Sequence, residues 1–216
     1  MPEAVPERRI VVLRHGRTAW NLIGRAQGQG DVPLDEVGHA QAKAAAALVA
    51  ALEPVRLWSS DLTRAAQTAA YVAEACGLEV ELDPRLREFD VGERQGLTWE
   101  ESVERFPWIA DGMGLGERLA GVPGAESDAD VTARIVPALG DVAASLAPGE
   151  TGVVVTHGAA LKLGLGGLLG WDESVVRALV VLDNCHWATV VEPGDGRPRR
   201  LKDYGVGDFA SMTAIG

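Results

Sequence analysis

In residues 11–21, VVLRHGRTAWN, an apolar run breaks off into Arg14, His15, Gly16 and Arg17. Two arginines crowded around a histidine repel one another unless an anion belongs between them. The pattern therefore implies a bound anion. A second stretch ends the same way: VVVTHG closes an apolar run on His157 and Gly158, so two of the four histidines precede a glycine at a strand end. Open parallel sheets bind ligands beyond the carboxyl ends of their strands. His15 and His157 are therefore expected to face one another at the top of neighbouring strands.

Other residues gain meaning only beside these two. Arg64, in SSDLTRAAQTAA, falls on the first turn of a helix, where the helix dipole disfavours a cation. An anion in the same crevice would offset that cost; a solvated surface arginine is the plain alternative. Glu88, in RLREFDVGERQG, follows a strand among turn residues and by itself reads as a surface carboxylate. His39 sits in a helix's first turn beside Glu36, which suits a capping or solvated role, and His186 opens a strand, which suits packing. A metal centre is the rival use of histidines, but the chain lacks His-x-His, HExxH and paired-cysteine spacings, and Asp61 alone builds no site. No G-x-S-x-G elbow offers a serine nucleophile. Cys76 and Cys185 are far apart and read as reduced thiols of a cytoplasmic protein.

The elements that must carry these residues follow from periodicity. Apolar runs predict strands over residues 9–13, 55–58, 78–82 and 152–156, with a closing strand pair at 179–182 and 187–191. Helical periods cover 35–52, 63–76, 131–146 and 159–169, the second ending at Gly77, a residue suited to a C-terminal cap. Strands alternating with helices imply an α/β fold of three layers, a mostly parallel central sheet flanked by helices, in a single domain spanning 1–216. Residues 106–127 break the pattern. Five glycines lie between Gly112 and Gly124, yet Trp108, Ile109, Met113 and Leu115 keep the stretch apolar. It reads as an excursion covering the substrate, mobile enough to admit water. Arg17 and Arg118 are candidate cations at its mouth, with Arg17 pointing into solvent as the equal alternative.

Composition narrows the partners. A net charge of −11 over 216 residues argues against nucleic acid or an anionic membrane as partner. With 47% hydrophobic and 24% charged residues, the chain can bury a full core behind a polar surface. No apolar stretch reaches membrane-spanning length, and the opening MPEAVPERR has no apolar h-region, so a cytoplasmic location is expected. Seventeen arginines against three lysines (Lys43, Lys162 and Lys202), with abundant alanine, suggest a GC-rich bacterial gene.

Taken in order, LRHGRTAWN, SSDLTRAAQTA, LREFDVGERQGLT and VVTHGAAL resemble the signature segments of the histidine phosphatase superfamily, the phosphoglycerate-mutase-like enzymes. The likeness covers nearly the whole chain. It is greatest to bacterial small-molecule phosphatases, including glucosyl-3-phosphoglycerate phosphatases, through QGQGDVPLDEVG and RLREFDVGERQGLT. The resemblance implies His15 as nucleophile, Arg14, Arg64 and His157 as phosphate ligands, Asn21 as a further phosphate contact, and Glu88 as proton donor. It implies a metal-independent phosphomonoesterase without a cofactor, acting on a small phosphorylated metabolite, with a cofactor-dependent phosphoglycerate mutase as the alternative. Members are often dimers, so a homodimer is compatible with it. Three positions depart from the family pattern: Arg17 where Glu or Gln is usual, Gln95 where many members carry Glu, and Ala125 where Gly is common.

Overall fold

The computed structural model describes residues 6–112 and 114–207; Met113 and the first five residues of the opening segment lie outside the described residues. Six strands form one mixed sheet: β1 (Arg8–Arg14), β2 (Arg56–Ser59), β3 (Val80–Leu82), β4 (Thr151–Thr156), β5 (Trp187–Glu192) and β6 (Arg200–Val206). Their spatial order is β3-β2-β4-β1-β5-β6. The β2–β3, β2–β4 and β1–β4 pairs are parallel, whereas β1–β5 and β5–β6 are antiparallel. The parallel centre thus passes into an antiparallel edge.

Strands buried on both faces read as unbroken apolar runs, and β4 is buried at every residue. Along β1 the side chains alternate between layers. Val11 and Leu13 pack with Val153, Val155 and the helices α2 (Glu36–Ala50) and α3 (Thr63–Cys76). Ile10 and Val12 pack with Val154 and the helices α6 (Asp128–Ser145) and α7 (Gly158–Leu169). Two helical layers therefore clamp the sheet. Burying each large aliphatic side chain is worth roughly 1.5–3 kcal/mol, which fixes the register of the central strands firmly.

The helix ends carry the expected signals. Asp35 accepts from Gly38 N–H at 2.7 Å as the N-cap of α2, and Gly77 closes α3 at φ 66°. Ser127 and Asp130 form a capping box at the start of α6.

One expectation fails. Residues 179–182 are not a strand; β5 instead pairs with β6, Arg200–Val206, which the sequence analysis does not predict. RLKDYGV is a half-exposed edge strand with no apolar run to announce it. Within 179–182 only Leu182 is buried, its carbonyl accepting from the Arg14 guanidinium, while Val180 and Val181 are exposed.

The excursion holds a short 3₁₀ turn, Pro107–Asp111, and a short helix α5 (Leu115–Leu119). Despite its glycines it anchors Phe106, Ile109, Leu119 and Val122 in the core beneath α6 and α7.

Candidate active site

The register of β1 on β4 pairs Arg14 with Thr156. The next residue of each strand is a histidine, so His15 and His157 leave the sheet at one level. Their ring centroids lie 5.1 Å apart. Both are buried, at 3% and 0% exposure. His15 Nδ1 lies 2.7 Å from the Gly16 carbonyl. A carbonyl only accepts, so the proton resides on Nδ1 and the Nε2 lone pair is free. Burial, then Arg64 and Arg14, hold the His15 pKa well below 6.5, and burial followed by Arg64 does the same to His157. Each imidazole is neutral at neutral pH.

Gly16 is required by packing. A Cβ there would lie 2.6 Å from the Gly38 carbonyl oxygen, and a Cβ on Gly38 would lie 1.9 Å from the Arg17 oxygen. The first turn of α2 therefore rests directly on the loop that carries His15.

Arg14, His15, Asn21, Arg64 and Glu88 line one depression of about 190 Å³. Arg64 is 1% exposed and donates to the Gly30 and Gly28 carbonyls at 2.8 and 2.7 Å. Burial lowers its pKa to about 10 against the opposing pull of Glu88, which leaves it a cation. Burial likewise lowers the Arg14 pKa. Asn21 Oδ1 accepts from Thr18 N–H at 3.1 Å, so the amide NH₂ is the end left to donate to a ligand. His157 Nε2 meets Ser60 Oγ at 2.9 Å. Among the described residues, three buried side-chain nitrogens have no hydrogen-bond partner: Arg14 Nε, Arg64 Nε and His157 Nδ1. All three belong to residues for which the resemblance implies a phosphate contact. Buried donors left without partners cost about 1–3 kcal/mol each, and an anion at the site would complete them.

Glu88 is placed by two elements. Its carboxylate accepts from Ala159 and Ala160 N–H at 3.1 and 2.9 Å, at the positive end of α7. Its backbone is held by Arg134, which donates to the Arg87 and Glu88 carbonyls at 2.6 and 2.8 Å. Glu126 grips Arg134 at 2.8 Å and also accepts from Asp90 N–H at 2.8 Å. The carboxylate thus sits on a braced loop.

The remaining sequence candidates lie elsewhere. Arg17 pairs with Asp35 at 2.8 Å and is absent from the depression. His39 meets Tyr71 Oη at 3.2 Å, while the cap of α2 is Asp35. His186 accepts from Arg14 N–H through its backbone carbonyl, a structural contact. Gln95 is exposed, and Ala125 forms an isolated bridge with Val91. Cys76 and Cys185 are free thiols. Among the described residues, no group of three or more His, Cys, Asp or Glu side chains is placed to hold a metal ion.

The sequence analysis misses Asn184, whose Nδ2 donates to the His15 carbonyl at 3.0 Å and approaches Asn21 Oδ1 at 3.4 Å. It also misses Arg25 and Arg94 in the wall of the depression. The only available signal for Arg94 is its proximity to Glu88 in the same short segment.

Comparison with known proteins places this geometry in a family. Residues 10–204 match the histidine phosphatase superfamily (branch 1). A glucosyl-3-phosphoglycerate phosphatase of Mycobacterium tuberculosis is 37% identical over 188 residues, covering 83% of each chain. The probable phosphoglycerate mutase GpmB of Yersinia enterocolitica is 38% identical over 186 residues, covering 84% of this chain and 83% of that one. A mycobacterial glucosyl-3-phosphoglycerate phosphatase solved with VO3 superposes with a TM-score of 0.80 at 35% identity, covering 93% of this chain and all of the other. The chain belongs to the histidine phosphatase superfamily, branch 1.

Proposed function

We propose that this protein is a phosphomonoesterase that hydrolyses a small phosphorylated metabolite through a phosphohistidine at His15. The observation that carries the reading is the set of three partnerless buried nitrogens on Arg14, Arg64 and His157 beside a neutral, tautomer-fixed His15. Phosphoryl transfer needs little from a protein beyond positioning and charge stabilisation, and these groups supply both. The His15 Nε2 lone pair attacks phosphorus while the bond to the substrate's alkyl oxygen breaks. Glu88 gives its proton to that leaving oxygen. Water then attacks phosphorus, the N–P bond breaks with its electron pair returning to Nε2, and Glu88 takes the water's proton. Splitting the reaction into two displacements lowers each barrier. Asn21 adds an N–H donor to the phosphate, and Asn184 holds the His15 backbone in place.

No metal or organic cofactor enters this scheme. The acidic net charge and the absence, among the described residues, of a helix able to cross a membrane support a cytoplasmic enzyme without a nucleic-acid or membrane partner. The GpmB relatives keep the mutase as a second reading, in which a hydroxyl replaces water as acceptor.

His15→Ala should lose at least roughly three orders of magnitude in turnover and form no acid-labile phosphohistidine when quenched during turnover. Near-full activity in the variant would refute the assignment. Interconversion of phosphoglycerates faster than phosphate release would favour the mutase.

A further inference from the structure

Arginines without acid partners mark where this acidic chain expects anions. Twelve of its seventeen arginines form ion pairs with Asp or Glu. Of the other five, Arg9 is exposed, and Arg14 and Arg64 belong to the phosphate end of the depression. The two that remain, Arg94 and Arg118, are both half-buried and both lack a carboxylate partner among the described residues.

They also lie together. Their guanidinium carbons stand 5.9 and 5.0 Å from the centre of the Trp99 ring. Arg94 lines the same depression as His15 and Glu88. Arg118 lines an adjoining depression of about 330 Å³ that shares Leu115 with the first. Two acids near that second depression, Glu117 and Glu173, are held by Arg177, and Asp128, which also lines it, forms no ion pair with Arg118. Arg94 spends its Nε on Ser102 Oγ at 3.2 Å and Arg118 its Nε on the Gly112 carbonyl at 2.9 Å, leaving the terminal nitrogens of each to donate further. Burial, and then Arg118, lower the Arg94 pKa, so Arg94 keeps its charge at a cost. Stacking on Trp99 offsets part of that cost, but it does not neutralise charge. An anion does.

We infer that Arg94, backed by Arg118, forms a second anion subsite, so that the preferred substrate is a phosphomonoester whose organic part carries a further anionic group, carboxylate or phosphate. This rests on the phosphatase reading. Arg94 is missed by the sequence analysis, and it takes the part suggested there for Arg17, whose charge Asp35 already satisfies.

The test compares matched substrates on the wild-type protein and on Arg94→Gln. One pair, 3-phosphoglycerate and glycerol 3-phosphate, differs by a carboxylate. The other, fructose 1,6-bisphosphate and fructose 6-phosphate, differs by a phosphate. A hydrogen-bonded charge contact predicts a wild-type preference in kcat/KM of roughly tenfold or more for the anionic member of at least one pair. Arg94→Gln should shrink that ratio towards one, chiefly through KM, with a smaller loss in Arg118→Gln. Preference in the first pair alone identifies a carboxylate, and in the second alone a phosphate. No preference in either pair on the wild-type protein overturns the inference even if the variant fails to fold, and so does a ratio unchanged in a folded Arg94→Gln. Hydrolysis of the singly anionic substrates keeps the phosphatase reading intact in those cases. Absence of phosphate release from all four would remove both.

Discussion

Acidification from pH 7.5 to 5.5 should cost this fold up to about 2.7 kcal/mol through His15 and His157, the ceiling being reached if both stay neutral throughout. Both histidines have folded-state pKa values pushed well below 6.5, by burial first and by Arg64 next. In an unfolded chain each would titrate near 6.5. Below that pH the unfolded state therefore binds protons that the folded state refuses. Stability from these groups is complete above pH 6.5 and is lost as pH falls towards the folded pKa. For a histidine that stays neutral in the fold, the loss between pH 7.5 and 5.5 is about 1.4 kcal/mol, and two such groups double it. The carboxylates Asp61, Asp83 and Glu126 are shifted down as well, but their unfolded partners protonate only below about pH 5. They lie outside the window.

Urea unfolding followed by tryptophan fluorescence, at fixed ionic strength across that range, measures the slope. His15→Ala supplies the internal control. It removes one of the two titrating groups, so the difference in pH dependence reports His15 together with any change its loss makes at His157. Saturating inorganic phosphate should flatten the wild-type slope, because an anion between the two rings favours their protonation. If wild type and His15→Ala show the same pH dependence within about 0.5 kcal/mol, His15 is not held neutral, and the tautomer argument for Nε2 falls with it.

Two further outcomes test the chemistry. Glu88→Gln should slow alkyl phosphates far more than aryl phosphates, whose leaving oxygen needs little protonation; an equal loss on both would assign Glu88 to binding. Exhaustive EDTA treatment should leave turnover unchanged, and activity lost to EDTA and restored by zinc, manganese or magnesium would defeat a mechanism built on arginine and histidine alone.

Much of the frame is legible in the sequence because burial writes itself into composition. The centres of β1 and β4, Ile10 to Leu13 and Val153 to Val155, are covered on both faces and are apolar throughout. Gly77 shows where α3 stops. The β6 strand is opaque for the opposite reason: an edge strand wet on one side needs no apolar signature, and its pairing with β5 is decided by tertiary contact. The run at 179–182 misleads because only Leu182 is buried; Val180 and Val181 are exposed and no strand pairs with them. An apolar run is neither proof of a strand nor proof of burial.

The arginines divide less evenly, and the reason is physical. A histidine at the end of a buried strand has its place set by the strand, so His15 and His157 could be brought together on paper before any coordinate existed. Arg64 starts from the first turn of α3, but the sequence alone leaves a solvated surface arginine as the alternative. An arginine at a loop or helix start has a long side chain, and its role depends on which acid lies within reach across the fold. Arg17 follows His15 at a distance of two residues and could as well add charge at the mouth as point into solvent, yet Asp35, 18 residues on, claims it at 2.8 Å. Arg94 sits in a turn-rich segment with Glu93 beside it and carries no signal of its own, yet Glu93 pairs with Arg105 and Arg94 lines the depression. The difference between the two lies in the pairing of their neighbours. Sequence spacing can place an arginine carried by a rigid element, whereas whether one on a loop is left unpaired depends on which acids are already engaged.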